Sequence, residues 1–486
     1  MIIKILVISA FALMIIYVGI AGLRKTKSFS DFFLGGRNIG PWMTAFTYGA
    51  AYFSAVIFIG FAGKIGWDFG LSGLWITLGN SLIGVLGVWL LMGNRIKKMS
   101  VEYDVHTMPE FFEKRYNSKG FRLYSSIAIF IFFIPYSAAV FIGLSYLFQV
   151  NFNIDYTLAL ICMGLFTALY IVLGGYKSMT MIDVIFGIIM IAGTAVLFTN
   201  TMQSAGGWMM IREKLSSINP ELSEIVGPPG LWPLFSLVFL TSVAPFAMPQ
   251  LVQKFYAIKD KRAIRIGMFA STIFSIIISG TAYFTGATTR IFINPQNTPS
   301  AFIDGKPIFD ALMPELLTNV IPSSLSILML LLILSASMST LAALVLISSS
   351  SVSKDIYAGF IKRDICDKNL TMLMRTSSGF FVFLSVILAY FKPATIVAIL
   401  GISWGAIGSA FLGPFFWGII SKRMSKAGAM VSSVAGLGLC LYLYLTGTPS
   451  PQAGTIGMLA SLILNPIISI IFQNQKTNQR QPSIKK

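Results

Sequence analysis

The chain has 486 residues, of which 55% are hydrophobic and only 11% charged, and its mean hydropathy is +0.78. A water-soluble globule cannot bury that much apolar surface, and soluble domains carry about a quarter charged residues, so a soluble enzyme, a nucleic-acid binder and a disordered chain are excluded. The net charge of +18 then reads as loop charge that fixes membrane topology.

Thirteen apolar segments follow in order, at about 3–23, 41–63, 71–93, 123–149, 155–174, 181–201, 231–252, 265–289, 322–350, 373–391, 393–420, 427–446 and 452–473, each near the length that crosses a bilayer. The first, from Ile2 to Leu23, is too long for a signal-peptide core and lacks a convincing cleavage site, so it is expected to be a span. None alternates as a barrel strand does. Helices satisfy their own backbone groups in lipid, so the expected class is an all-α polytopic membrane protein. The loops after segments 1, 3, 5, 7, 9 and 11, with the tail, hold 29 of the 36 Lys and Arg. That bias places the N-terminus outside and the C-terminus in the cytoplasm of a cell-membrane protein. Residues 474–486 read as a disordered tail. Cys162, Cys366 and Cys440 make no disulfide framework, and the lone His106 leaves no histidine-based metal site.

Two segments are interrupted. Segment 2 carries small and polar residues from Thr44 to Ala55, and segment 7 contains the stretch from Thr241 to Pro249, with Pro245 between. Broken helices at mid-membrane free carbonyls for a cation. Close packing or a simple kink would explain either one alone; both, five segments apart, fit inverted repeats of five helices. Segment 9 holds Ser335 to Thr340, in which Ser339 and Thr340 are adjacent hydroxyls. These suit a hard cation such as Na⁺, or merely bond back to their own helix. Asp183 is the one acid expected within a span near this region, and a carboxylate there is costly unless it works. Its alternative is a boundary cap beside Lys177.

Several stretches resemble the sodium:solute symporter family. They are Ser30-Asp31-Phe32-Phe33-Leu34-Gly35-Gly36-Arg37; Thr44-Ala45 and Gly49-Ala50; Thr107-Met108-Pro109-Glu110-Phe111-Phe112; Gly174-Gly175 followed by Asp183; and Met338-Ser339-Thr340-Leu341 followed by Asp355-Ile356-Tyr357. The resemblance implies a LeuT-like core of five plus five inverted helices, with one extra helix before and two after. That divides the chain into 1–40, a first repeat 41–202, a second repeat 203–421, two final helices 422–473, and the tail. It also implies a Na⁺ site made by carbonyls of Ala50, Phe53 and Ala336 with the hydroxyls of Ser339 and Thr340. Positions used for an additional sodium are Ala342 and Ala343 here, so one ion is expected.

The solute is expected beside the ion, against Tyr52, Ser54, Val56, Ile57, Tyr136, Thr241 and Ser242. Proline carriers of the family place an acid and two tryptophans where this chain has Tyr52, Val56 and Thr241, which disfavours proline; no arginine in segment 4 suits sialic acid. A small, partly apolar solute, such as a monocarboxylate, a pantothenate-like acid or a neutral amino acid, is preferred. The expected activity is Na⁺-coupled import by alternating access. The rivals are H⁺ coupling through Asp183 and a solute-binding sensor that moves nothing; no nucleophile–base pair for an enzyme lies in the spans. No nucleic-acid partner is expected, and the sequence sets no oligomeric state.

Overall fold

The computed structural model describes residues 2–23 and 28–478 and is helical almost throughout. α1 (Ile2–Leu23) and the short α2 (Phe29–Leu34) lead to α3 (Pro41–Tyr52), which stops at a stretch of non-helical chain. A π-helical turn, Val56–Phe61, restarts the helix and runs into α4 (Ala62–Phe69). Gly70, with φ at 58°, turns the chain back into α5 (Leu74–Leu78), continued by π-helical turns to α6 (Asn94–Glu102). Then come α7 (Met108–Tyr116), α8 (Lys119–Phe152), α9 (Tyr156–Gly174), α10 (Tyr176–Ala205) and the short α11 (Trp208–Ile218). α12 (Leu231–Val243) bends by 41° into α13 (Pro249–Ala257), followed by α14 (Lys261–Ala287) and α15 (Thr289–Phe292). A two-stranded antiparallel hairpin of β1 (Phe302–Ile303) and β2 (Lys306–Pro307) precedes α16 (Phe309–Val320). The chain ends with α17 (Ser326–Ser350), prolonged by a π-helical run to Ile361, then α18 (Asp367–Phe391), α19 (Ile396–Ile420), α20 (Lys426–Leu445) and α21 (Ser450–Asn478).

The starts are locally encoded. Side chains of Thr107, Ser118, Asp155, Asp260 and Thr395 accept the first free N–H groups of α7, α8, α9, α14 and α19. The bend before α13 follows from Pro249, which forces Met248 into an extended conformation (φ −76°, ψ 116°).

Among the described residues, ten helices are long and apolar enough to cross a bilayer, or eleven with the bent α12–α13 pair. The expected thirteen is not reached on that count. α3 stops at Tyr52, the helical run beyond it continues for 47 residues from Val56 to Glu102, and Tyr156–Ile171 falls among the shorter apolar helices. Segment 7 extends past its expected end at 252 to Ala257, so Lys254, read as loop charge, is buried inside the protein. α21 also continues, to Asn478, into the expected tail, the rest of which lies outside the described residues, as do Arg24, Lys25 and Lys27 of the first loop.

α17 forms the centre: 94% of its most apolar window is buried, against 17% for α1. Outward-facing residues such as Leu13, Phe269, Ile273 and Phe383 are exposed, as lipid-facing side chains must be. At the end bearing most of the basic residues, the chain entering α3 meets the chain leaving α13. Ile39 donates its N–H to the Ala257 carbonyl (3.1 Å) and accepts from Lys259 N–H (3.1 Å), a short parallel bridge between two distant parts of the sequence.

Candidate functional site

The break after α3 lies against the middle of α17. Phe53 is extended (φ −110°, ψ 123°), so its carbonyl leaves the helical ladder. Ser54 Oγ accepts the N–H of Val56 (3.2 Å), and Ala55 donates to Ser337 Oγ (3.1 Å), which fastens the restart to α17. Thr340 Oγ1 sits among three carbonyls: Ala336 of its own helix at 3.2 Å, and Ala50 and Ala51 of α3 at 3.4 Å each. Ser339 Oγ is buried without a hydrogen-bond partner. Ala50, Ala336, Ser339 and Thr340 are thus brought together, with Ala51 as the carbonyl that sequence reasoning did not name. Carbonyl and hydroxyl oxygens with one hydroxyl left over fit a hard monovalent cation. Among the described residues no group of three His, Cys, Asp or Glu could hold a metal.

Beside this cluster, between the two broken helices, lies a partly open cavity of about 350 Å³. Tyr52, Ser54, Val56, Ile57, Tyr136 and Thr241 line it. Ser242 does not; its hydroxyl donates to Asn80 Oδ1 (3.3 Å), and Asn80 reaches the cavity. Tyr52 Oη donates to the Thr241 carbonyl (2.7 Å), joining α3 to α12 across the cavity wall. Trp404 of α19 completes an aromatic corner, its ring 5.9 Å from both Tyr52 and Tyr136, and its indole N–H has no protein acceptor. Phe61, Tyr283 and Leu400 fill the remaining wall, and no lining side chain is charged. Trp404 escaped sequence reasoning because it lies in the almost wholly apolar α19, where little marks the side that faces inward; Tyr283 escaped because it lies in α14, whose scattered Ser and Thr carried no recognised motif.

Toward the basic end, Asp183 of α10 is fully buried and neither carboxylate oxygen has a hydrogen-bond partner. The groups acting on it are the Lys254 ammonium and the hydroxyls of Ser339 and Thr47. Lys177, its expected neighbour, is not among them. Lys254 Nζ also lacks a hydrogen-bond partner and lies 4.9 Å from the centre of the Tyr176 ring, while the Gln250 amide beside it is buried and unbonded. Buried polar groups are ordinarily paired. Here a seam of unpaired ones descends from Ser339.

The surface of this end is clamped by charge. Arg122 holds Glu113 (2.7 Å), Glu110 (3.3 Å) and Asp355 (3.5 Å), and Thr107 Oγ1 donates to Asp355 (2.6 Å). Two motifs quoted from opposite halves of the sequence therefore meet. Burial pushes the Glu110 carboxyl up, but the His106 hydrogen bond and the charges of Lys354 and Arg122 outweigh it and pull the carboxyl down to about 2. At the opposite end, Lys64 pairs with Asp68 (3.1 Å) above a wider chamber of about 830 Å³ that also touches Leu237, one helical turn from Thr241.

A model of the sodium:solute symporter family matches residues 32–436. The chain belongs to this family. The symporter is similar to the high-affinity proline transporter PutP of Bacillus subtilis, 29% identical over 94% of this chain and 95% of that protein. It is also similar to the osmoregulated proline transporter OpuE of the same organism, 28% identical over 93% and 91%, and to a sodium/proline symporter of Staphylococcus aureus, 26% identical over 96% and 90%. In fold it matches a Na⁺-coupled sialic acid symporter with a TM-score of 0.81, at 18% identity over 97% of this chain and 98% of that one. It matches Mhp1, a nucleobase-cation-symport-1 family transporter, with a TM-score of 0.55, at 12% identity over 91% and 95%. The fold is LeuT-like. The symporter is a multi-pass membrane transporter that couples a solute to sodium, and it is not an enzyme.

Proposed function

We propose that the symporter imports a small neutral amino acid, with proline the first candidate, together with one Na⁺ per cycle by alternating access between two inverted repeats (41–202 and 203–421). The observation that carries this is the uncharged, largely aromatic cavity directly beside the Ala50–Thr340 oxygen cluster. Sequence reasoning set proline aside because α3 and α12 lack the acid and tryptophans of the proline carriers. The cavity nevertheless contains an indole, Trp404, supplied from α19, and three relatives are named as proline transporters. In this reading Ala50, Phe53, Ala336, Ser339 and Thr340 hold the ion. Tyr52, Ser54, Val56, Ile57, Tyr136 and Thr241, with Trp404, hold the solute. Ser242 acts through Asn80.

Sodium binding from outside stabilises a conformation with higher solute affinity, and by linkage the solute raises sodium affinity equally. Asp183 then receives the ion on its way to the cytoplasm, with Lys254 as the charge it leaves behind. The basic end faces the cytoplasm of the cell membrane, with the N-terminus outside.

The test is uptake of labelled proline into proteoliposomes under an inward Na⁺ gradient, with thermal unfolding in NaCl against choline chloride alongside. Sodium is expected to drive accumulation and raise the unfolding midpoint, and Ser339→Ala with Thr340→Ala to abolish both. A sodium-specific midpoint rise without proline uptake would reject the solute and keep the ion site. No sodium effect in the parent protein, or an effect untouched by the double substitution, would reject the ion site.

A further inference from the structure

A groove runs along the lipid-facing side of the molecule, away from the transport cavity. It lies between α3, α10 and α14, is about 970 Å³ in volume, and is lined wholly by apolar residues, among them Trp42, Phe46, Ile191, Ile266, Phe269 and Ile273. From Ile266 to Ile277 the α14 wall spans twelve residues, roughly 16 Å at a rise of 1.5 Å from each to the next. That is about the depth of one leaflet of a hydrocarbon core of about 30 Å.

The groove has a charged mouth. Lys259, Lys261, Arg262 and Arg265 are all exposed around the start of α14, and none makes an ion pair among the described residues. The one acid among them, Asp260, uses its carboxylate to cap Ala263 N–H (2.8 Å). Arg262 stands one turn before Ile266, on the stripe that continues through Phe269 and Ile273, so its Cα lies above the groove. The Ile39–Ile258 bridge brings the start of α3 beside these cations, and Trp42, 62% exposed, stands at the same level. An apolar slot one leaflet deep, an interfacial tryptophan and a cluster of four cations against one carboxylate together fit an amphiphile with an anionic head.

We propose that this groove binds one anionic phospholipid, with an acyl chain along α14 and the phosphate against Arg262 and Arg265. The occupant braces α3 against α14 on the side where Phe46 already packs edge-on to Phe274, ring centres 6.1 Å apart. Binding does not depend on which solute the protein carries.

The full-length protein is to be placed in nanodiscs of phosphatidylcholine alone or with one fifth phosphatidylglycerol, at equal ionic strength, and its unfolding midpoint measured. Phosphatidylglycerol is expected to raise the midpoint by about 3 °C or more. Arg262→Gln with Arg265→Gln should lose that increment while keeping the midpoint in phosphatidylcholine. Ala270→Trp, which fills the groove and leaves every charge in place, should lose it too. Should either variant fold poorly, native mass spectrometry of the parent protein gives a separate reading: one retained anionic phospholipid is expected. An increment that survives both variants, one reproduced by glycerol phosphate in solution, or no retained anionic lipid would overturn the proposal.

Discussion

Thr340 shows how one side chain serves two states. Its hydroxyl occupies the space between the Ala336, Ala50 and Ala51 carbonyls, so it belongs both to the packing of α17 on α3 and to the proposed ion shell. Thr340→Val keeps the shape and removes the oxygen. The expected result is a sodium half-saturation constant raised at least about tenfold, with about 1–3 kcal/mol of stability lost because buried acceptors go unpaired; sodium titrations of transport and denaturant unfolding separate the two. Trp404→Phe is the complementary test on the solute side. It keeps an aromatic ring against Tyr52 and Tyr136 but removes the indole N–H and part of the ring surface, so solute KM should rise several-fold while the sodium response of the midpoint stays. The hydroxyl pair was legible in the sequence because two adjacent polar residues stand out in an apolar helix. Trp404 was not, because one tryptophan among apolar neighbours gives no sign of which way it faces. Lys254 was missed for a different reason: a lysine two residues past the end of an apolar run is ordinarily loop charge, and only the bend at Met248 carries it inward.

At the scale of elements, α7 is held to α8 and to the π-helical end of α17 by ions rather than by apolar contact alone. The Glu110 carboxyl is depressed from 4.5 to about 2 in the folded protein. A depressed acid contributes stability that is present above its unfolded value and lost as pH falls through the folded one, so the loss falls between about pH 4.5 and pH 2. The unfolding midpoint should therefore drop on acidification from pH 5 to pH 3, and Glu110→Gln should start lower at pH 7 and flatten that drop. The sequence showed the two motifs that meet here but not their contact, since a pairing across more than two hundred residues leaves no local periodicity.

For the whole molecule, the class of fold was legible because hydrophobicity and loop charge act on every segment at once. The number of crossings was less so: helices that break at mid-depth or follow one another through a single tight turn blur the unit being counted, as at Tyr52 and at Gly70 within Val56–Glu102. Orientation rests on the distribution of Lys and Arg and has a direct check. Cys366 is exposed in the loop between α17 and α18, whereas Cys440 is buried and Cys162 lies on the apolar α9. A membrane-impermeant maleimide should label Cys366 only after cells are permeabilised; labelling of intact cells would reverse the assigned topology. The pairing of Ile39 with Ile258 carries a mechanical consequence. It ties the free end of one hinged arm to the free end of the other, like a rod between two cranks. In the proposed alternating-access cycle neither arm would swing far without taking the other along, because backbone hydrogen bonds outside the cavity couple them, whatever solute the cavity holds.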